Sequence, residues 1–218
     1  MKVLVACEFS EIVKEQFLNR GHDAHSCDLL PGEKGLKNHH KADVLSLLGE
    51  GWDLMIAHPP CTHLACSGAR WFKDKQAEQK EAIGFFMSLA NAPVNRLCIE
   101  NPVCIMSSVW RKPDQIIQPW QFGENFQKTT CLWLKNLPKL LPTKIVNKGE
   151  FVTFSSGRKM PKWYADARVD GHRRSRTFVG IAHAMADQWG HLKNRQSTLL
   201  DTSLPSNPKG SGIREEIL

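Results

Sequence analysis

The chain has 218 residues, 41% hydrophobic and 23% charged, with a formal charge of +7. This composition excludes a disordered or fibrous protein and suits one domain of roughly 200 residues, and the lack of any run of about 18 uncharged apolar residues excludes a membrane helix. Seven irregularly spaced cysteines argue for thiols in a reducing compartment, and the early charges Lys2, Glu8 and Glu11 argue against a signal peptide, so a cytoplasmic location is expected. Lys2-Val3-Leu4-Val5-Ala6-Cys7 predicts a buried strand, and Ile12, Val13, Gln16 and Phe17 recur at helical spacing up to a stop at Gly21. A second strand is expected over 22–27, ending at Asp28 before a loop marked by Pro31, Gly32 and Gly35. After Asp43-Val44-Leu45, the run Trp52-Asp53-Leu54-Met55-Ile56-Ala57 reads as another buried strand, halted by Pro59-Pro60. Residues 71–90 predict one long helix with Ile83, Phe86, Met87 and Ala90 on a single face, closed by Pro93. Residues 96–99 form a further strand that leads into Glu100-Asn101-Pro102. Between 103 and 175 only 130–134 has clear strand character. Residues 176–189 predict a helix that turns Phe178, Ile181, Ala184, Met185 and Trp189 inward. The Ser-, Thr-, Pro- and Gly-rich stretch 195–218 reads as a flexible tail, leaving 1–194 as a single domain.

Strands alternating with helices imply an α/β fold, with a mainly parallel sheet covered on both faces and ligands at the carboxyl ends of its strands. Three clusters lie at such ends: Glu8-Phe9-Ser10, His58-Pro59-Pro60-Cys61 and Glu100-Asn101-Pro102. Charge is divided unevenly along the chain. Residues 1–100 hold 11 basic and 13 acidic side chains, 101–194 hold 15 and 6, and 195–218 hold 3 and 3. That division suits a first half that carries chemistry and a second half that grips a polyanion.

Cys61 follows a buried strand on a proline-stiffened loop, the fixed exposure that a thiolate nucleophile needs. Glu100 ends another strand and can donate or accept a proton in the same cleft. His58, Cys61, His63 and Cys66 fall within nine residues, which raises a metal site as an alternative. Zinc ligands usually come from two separated knuckles, however, and Pro59-Pro60 resists wrapping one short loop around an ion, so no metal is expected.

With His-Pro-Pro-Cys after an Asp-Leu-Met-Ile strand and Ile-Glu-Asn-Pro about 40 residues later, the chain resembles the cytosine-C5 DNA methyltransferases, most closely their short phage-borne members. The likeness runs from Met1 to about Gly190 through Ala6-Cys7-Glu8-Phe9-Ser10, Cys27-Asp28-Leu29-Leu30-Pro31, Ser67-Gly68-Ala69-Arg70-Trp71-Phe72, Cys131-Leu132-Trp133-Leu134-Lys135-Asn136-Leu137-Pro138 and Arg174-Ser175-Arg176-Thr177-Phe178. The resemblance implies a Rossmann-like, S-adenosylmethionine-dependent methyltransferase fold, in the host cytoplasm if phage-encoded. It implies a thiolate of Cys61 that adds to C6 of a cytosine flipped from double-stranded DNA, and a Glu100 that engages N3, with Asn101 and Lys128 in the same catalytic group. S-adenosylmethionine would contact Phe9, Ser10, Asp28, Leu29 and Asp43, beside Pro59 and Pro60. Arg70, Arg173, Arg174 and Arg176 would contact phosphates. Lys128 enters through Phe126-Gln127-Lys128-Thr129-Thr130, preferred on position over His172-Arg173-Arg174-Ser175-Arg176 as the counterpart of the family's arginine motif. A reduced target-recognition region is expected at about 103–175, with weak sequence selectivity. One position departs from the pattern: relatives usually carry glycine where this chain has Glu11, and a glutamate there is expected to crowd the methionine moiety or oppose its carboxylate. The alternatives are a catalytically degenerate methyltransferase-like fold that binds nucleic acid or a host protein, and a related enzyme acting on a free nucleotide.

Overall fold

The computed structural model describes residues 1–166, 170–171 and 175–192, apart from the side chain of Trp71. Seven strands form the main sheet: β1 Lys2–Ala6, β2 Asp23–Asp28, β3 His39–Lys41, β4 Leu54–Ala57, β5 Arg96–Asn101, β6 Gln115–Ile117 and β7 Thr130–Lys135. Their order is β3-β2-β1-β4-β5-β7-β6. The first five are parallel, and β7 runs antiparallel to both neighbours. This is the order of a Rossmann-like doubly wound sheet, with one antiparallel strand inserted before the last.

Both faces are apolar because the central strands are apolar at successive residues, and alternation sends neighbours to opposite sides. Val3, Val5, Leu54 and Ile56 pack with α1 (Ile12–Leu18) and a C-terminal helix, while Leu4, Ala6, Met55 and Ala57 pack with α2 (Gln76–Ala90) and α3 (Met106–Val109). A separate hairpin pairs β8 (Phe151–Thr153) with β9 (Lys159–Pro161) and leads into α4 (Lys162–Asp166). The C-terminal helix is α5 (Val179–Gly190).

Two expectations need correction, and one strand carries no sign in the sequence. The expected helix over 71–90 is a 3-10 stretch, Cys66–Asp74, followed by α2, because Lys75 leaves helical geometry at φ −131°, ψ 39°. The residues that made the helical face all lie beyond 82, so nothing required 71–75 to share that axis. Helix α5 begins at Val179 rather than at 176, since Phe178 is extended and its ring packs between Phe126 and Trp163. Strand β3 carries no apolar signal and is held instead by side chains: His39 contacts the Ser26 hydroxyl at 2.9 Å, and His40 stacks on His25. The tail expected over 195–218 lies outside the described residues, as do Arg173 and Arg174.

Candidate active site

The strand order reverses between β1 and β4, and α1 and α2, which follow them, pack on opposite faces of the sheet. Their diverging loops open a crevice at the carboxyl ends of the strands. Cys7 (φ 59°) and Glu11 (φ 56°) bracket the β1–α1 turn in left-handed conformation, uncommon for residues other than glycine. Between them, Glu8 is buried and its carboxylate accepts from the Val13 N–H at 2.6 Å and the Lys14 N–H at 3.2 Å. These are donors of the first turn of α1 that have no partner within the helix. Burial pushes the Glu8 carboxyl above its ordinary value, a rise that the nearby His58 charge and the two N–H groups only partly offset. Ser10 is buried with its hydroxyl 3.4 Å from Glu8, so in this structure it braces the turn.

Glu11 does not face an open cleft. It is fully buried, its carboxylate 2.5 Å from the equally buried Lys14 ammonium and accepting from the backbone N–H of Lys34 at 2.7 Å. Lys14 in turn donates to the Lys37 carbonyl at 3.0 Å. The pair clasps the 30–38 loop to α1, so the expected crowding does not occur through this side chain.

Asp28 and Asp43 both push the Cys7 thiol upward, after the larger effect of burial, which places them within electrostatic reach of the end of β1. Each also accepts a local backbone N–H, from Leu30 at 2.9 Å and Leu45 at 3.0 Å. Leu29 is 71% exposed beside Asp28, and Leu45 is 41% exposed two residues after Asp43. Two carboxylates flanked by exposed leucines fit a ligand with hydroxyl or amino donors and a flat apolar ring. Phe9 is half-buried, and its carbonyl accepts from the Glu33 N–H at 2.9 Å, tying the β2 loop to this crevice.

Across the crevice, the His58 N–H continues the β1–β4 pairing by donating to the Ala6 carbonyl at 2.9 Å. Its Nδ1 lies 3.1 Å from Glu100 Oε2. Burial on its own raises the Glu100 carboxyl, but the His58 hydrogen bond and the charges of Lys128 and His58 outweigh it and hold the group below the usual carboxylate range. Lys128 is within electrostatic reach of Glu100, and its ammonium lies 5.5 Å from the Phe178 ring centre. Asn101 is buried and donates from Nδ2 to the Pro59 carbonyl at 2.8 Å. It therefore straps the two loops together through Nδ2, while its Oδ1 is buried without a hydrogen-bond partner among the described residues. Two further bonds join the same loops: the Cys66 N–H donates to the Val103 carbonyl and the Ile105 N–H to the Leu64 carbonyl, each at 3.0 Å.

Cys61 is half-buried at the start of a turn, with its carbonyl accepting from Leu64 and Ala65. None of the seven cysteines forms a disulfide. Burial pushes the thiols of Cys27, Cys104 and Cys131 to about 11, and that of Cys98 is raised as well, leaving these four poor nucleophiles. Pro59 is buried and Pro60 exposed. Arg70 is exposed on the 3-10 stretch, and Arg176 pairs with Glu33 of the β2 loop at 2.5 Å, which turns it toward that loop. No three or more His, Cys, Asp or Glu among the described residues are grouped to hold a metal, and His58 is engaged by Glu100.

Two features carry no direct sign in the sequence: His58 as a partner of Glu100, and the aromatic cluster of Phe126, Trp163 and Phe178, whose Phe178 ring lies 5.5 Å from the Lys128 ammonium. For His58 an indirect signal existed: it stands three residues before Cys61 at a strand end. No family model matches the chain, and no curated protein matches it. A solved structure similar to it is described as a candidate DNA modification methyltransferase encoded within a prophage of E. coli. The two are 14% identical with a TM-score of 0.47, over 66% of this chain. The chain spans about half the length of that structure, 51%.

Proposed function

We propose that this chain is an S-adenosylmethionine-dependent DNA cytosine-C5 methyltransferase, with Cys61 as nucleophile and Glu100 as the group that engages N3 of the target base. The observation that carries the reading is the pairing of two strand ends. A half-buried thiol on the β4 loop is strapped through Asn101 and Pro59 to a β5 carboxyl that His58 and Lys128 both address. C5 of cytosine is a poor nucleophile until a thiolate adds to C6. The electron pair displaced by that addition moves toward N3, where Glu100 meets it through a proton, and Lys128 offsets the negative charge. Asn101 and Pro59 fix the approach of the two loops, which matters because small misplacements of reacting groups cost large factors in rate.

Bound S-adenosylmethionine supplies the electrophilic methyl group. Asp28 and Asp43 are the acceptors for its ribose and adenine, with Leu29 and Leu45 against the ring. Glu11 is buried against Lys14 and the 30–38 loop, so its side chain gives no support to a degenerate, non-catalytic reading. DNA is the polyanion that the basic second half suits. The β8–β9 hairpin presents exposed Phe151 and Phe154 next to Arg158 and Lys159, and a duplex must be opened for the base to reach Cys61.

The test is mechanism-based trapping. Incubation with S-adenosylmethionine and duplex DNA containing 5-fluorocytosine is expected to give a covalent protein–DNA adduct that Cys61→Ala abolishes and Cys66→Ala does not. No adduct across varied duplexes would overturn the reading.

A further inference from the structure

We propose that the cavity between the β8–β9 hairpin and the loop before β7 receives an unpaired guanine of the bound DNA. The proposal rests on the reading of the chain as a DNA enzyme and deepens it by naming a second base that the protein holds. The cavity measures about 300 Å³, and none of its lining residues belongs to the crevice that carries Cys61. That volume is at the lower end of ligand clefts, which run from roughly 300 to 1,000 Å³.

The cavity is closed at backbone level. Gly149 (φ 84°) meets the 125–127 loop so closely that a Cβ would overlap the Asn125 carbonyl oxygen, and the Lys162 N–H donates to the Glu150 carbonyl at 2.8 Å. Phe126 and Trp163 supply the aromatic part of the lining, their ring centres 6.0 Å apart. Lys148, Glu150, Lys162 and Asp166 supply the charged part.

The charge pattern selects the base. Glu150 Oε2 and the Lys162 ammonium stand 2.9 Å apart, so an acceptor and a donor are presented side by side, and Asp166 adds a second carboxylate within electrostatic reach of the same ammonium. A carboxylate only accepts. Guanine places two adjacent donors, N1–H and the N2 amino group, next to the O6 acceptor, which matches a carboxylate beside an ammonium. Adenine and cytosine set a ring acceptor next to their amino group, and thymine flanks its one N–H with two carbonyls, so a carboxylate that takes the donor also faces a lone pair. Stacking on aromatic rings holds any base, which leaves the edge pairing to decide. Guanine offers this edge only when unpaired, the state in which a flipped cytosine leaves its partner.

One ring joins the cavity to the active site. Phe178 packs on Phe126 and Trp163 at 5.8 and 5.3 Å and lies 5.5 Å from the ammonium of Lys128, whose charge acts on Glu100. A DNA that delivers its cytosine to Glu100 is therefore brought beside this cavity. Lys148, with its ammonium 5.1 Å from the Trp120 ring centre, lines the cavity as a phosphate contact.

The experiment measures binding of the full chain, by fluorescence anisotropy, to thymine strands of about ten nucleotides that carry one central guanine, inosine or adenine. Guanine is expected to tighten binding by about 10-fold over the all-thymine strand; inosine, which lacks the N2 amino group, should lose most of that gain, and adenine should show none. Glu150→Gln combined with Asp166→Asn should bring the guanine strand to the all-thymine level. Both side chains are exposed, so folding is not at stake, and an unchanged melting temperature checks this. Strands that all bind within about twofold, or a guanine preference that survives in the double variant, overturn the proposal. In 5-fluorocytosine duplex, inosine placed either opposite the target or beside it then locates the source: slower adduct formation with one of the two identifies the guanine, and an adduct unaffected by either overturns the proposal. If wild type forms no adduct while the guanine preference stands, the Cys61 reading fails and the cavity is upheld; an adduct without the preference defeats only the cavity.

Discussion

Glu11 and Lys14 show how a departure from a family pattern becomes a structural device. The left-handed φ of 56° is one that glycine adopts without strain, so the backbone is of the kind the pattern implies while the side chain does something new. Removing one partner of a fully buried ion pair costs about 3–5 kcal/mol, because the other charge is left without compensation. Lys14→Met is therefore expected to lower unfolding free energy by about that amount in urea titrations, and the double change Glu11→Gly with Lys14→Met to recover most of it. The pH response has a definite sign. The Glu11 and Glu100 carboxyls are held below their ordinary 4.5, so they stabilise the fold above pH 4.5 and that contribution is lost as pH falls through their folded values. Glu8 is raised, so its contribution is present below pH 4.5 and lost as pH rises through its folded value. Acid unfolding below pH 4.5 should accordingly soften in the double variant, measured by circular dichroism. Of these residues, Cys61 and Glu100 stood out in the sequence because each follows a continuous apolar run, Leu54–Ala57 four residues earlier and Leu97–Ile99 directly. His58 as a partner of Glu100 was not, since a contact between residues 42 apart depends on β4 lying beside β5.

Elements followed the same division. Strands β1, β4 and β5 were readable because three to five successive apolar residues allow little else in a sheet buried on both faces. Strand β3 and the β8–β9 hairpin were not, because His39-His40-Lys41 and Phe151-Val152-Thr153 are three residues long and owe their pairing to partners elsewhere. The hairpin projects Phe154 at 38% exposure near a turn through Gly157, and Arg158 and Lys159 follow directly. Phe154→Ala is expected to weaken duplex binding by about 1–3 kcal/mol, roughly 5- to 150-fold, with melting temperature unchanged, as measured by fluorescence anisotropy. Arg158→Ala should instead reduce the salt dependence, lowering the slope of log K against log salt by about 0.9. Equal effects of both changes on the salt slope would contradict a contact between Phe154 and bases rather than phosphates.

Over the whole molecule, helix α5 closes the face that begins with α1 and ties the C-terminal segment to the loop before β7. The Gly180 N–H donates to Glu124 Oε1 at 2.9 Å, and a Cβ on Gly180 would lie 1.9 Å from the Phe122 carbonyl oxygen. Gly180→Ala is expected to destabilise the protein by about 3 kcal/mol or more, read as a lower urea midpoint, because the contacted atom is backbone and cannot swing aside. Arg20, paired with Asp187 at 2.6 Å, secures the same helix from the end of α1. By itself the sequence determined which segments are buried on both sides, where the strands end, that the basic excess lies beyond residue 100, and which thiol and carboxyl stand at strand ends. Those are properties of local pattern and composition. Only the tertiary structure decided that Glu11 turns under a loop, that Asn101 straps Pro59, that Arg176 meets Glu33 and that His58 faces Glu100. Each of these joins residues distant in the chain, and their meeting is set by strand order and packing, which no local periodicity encodes.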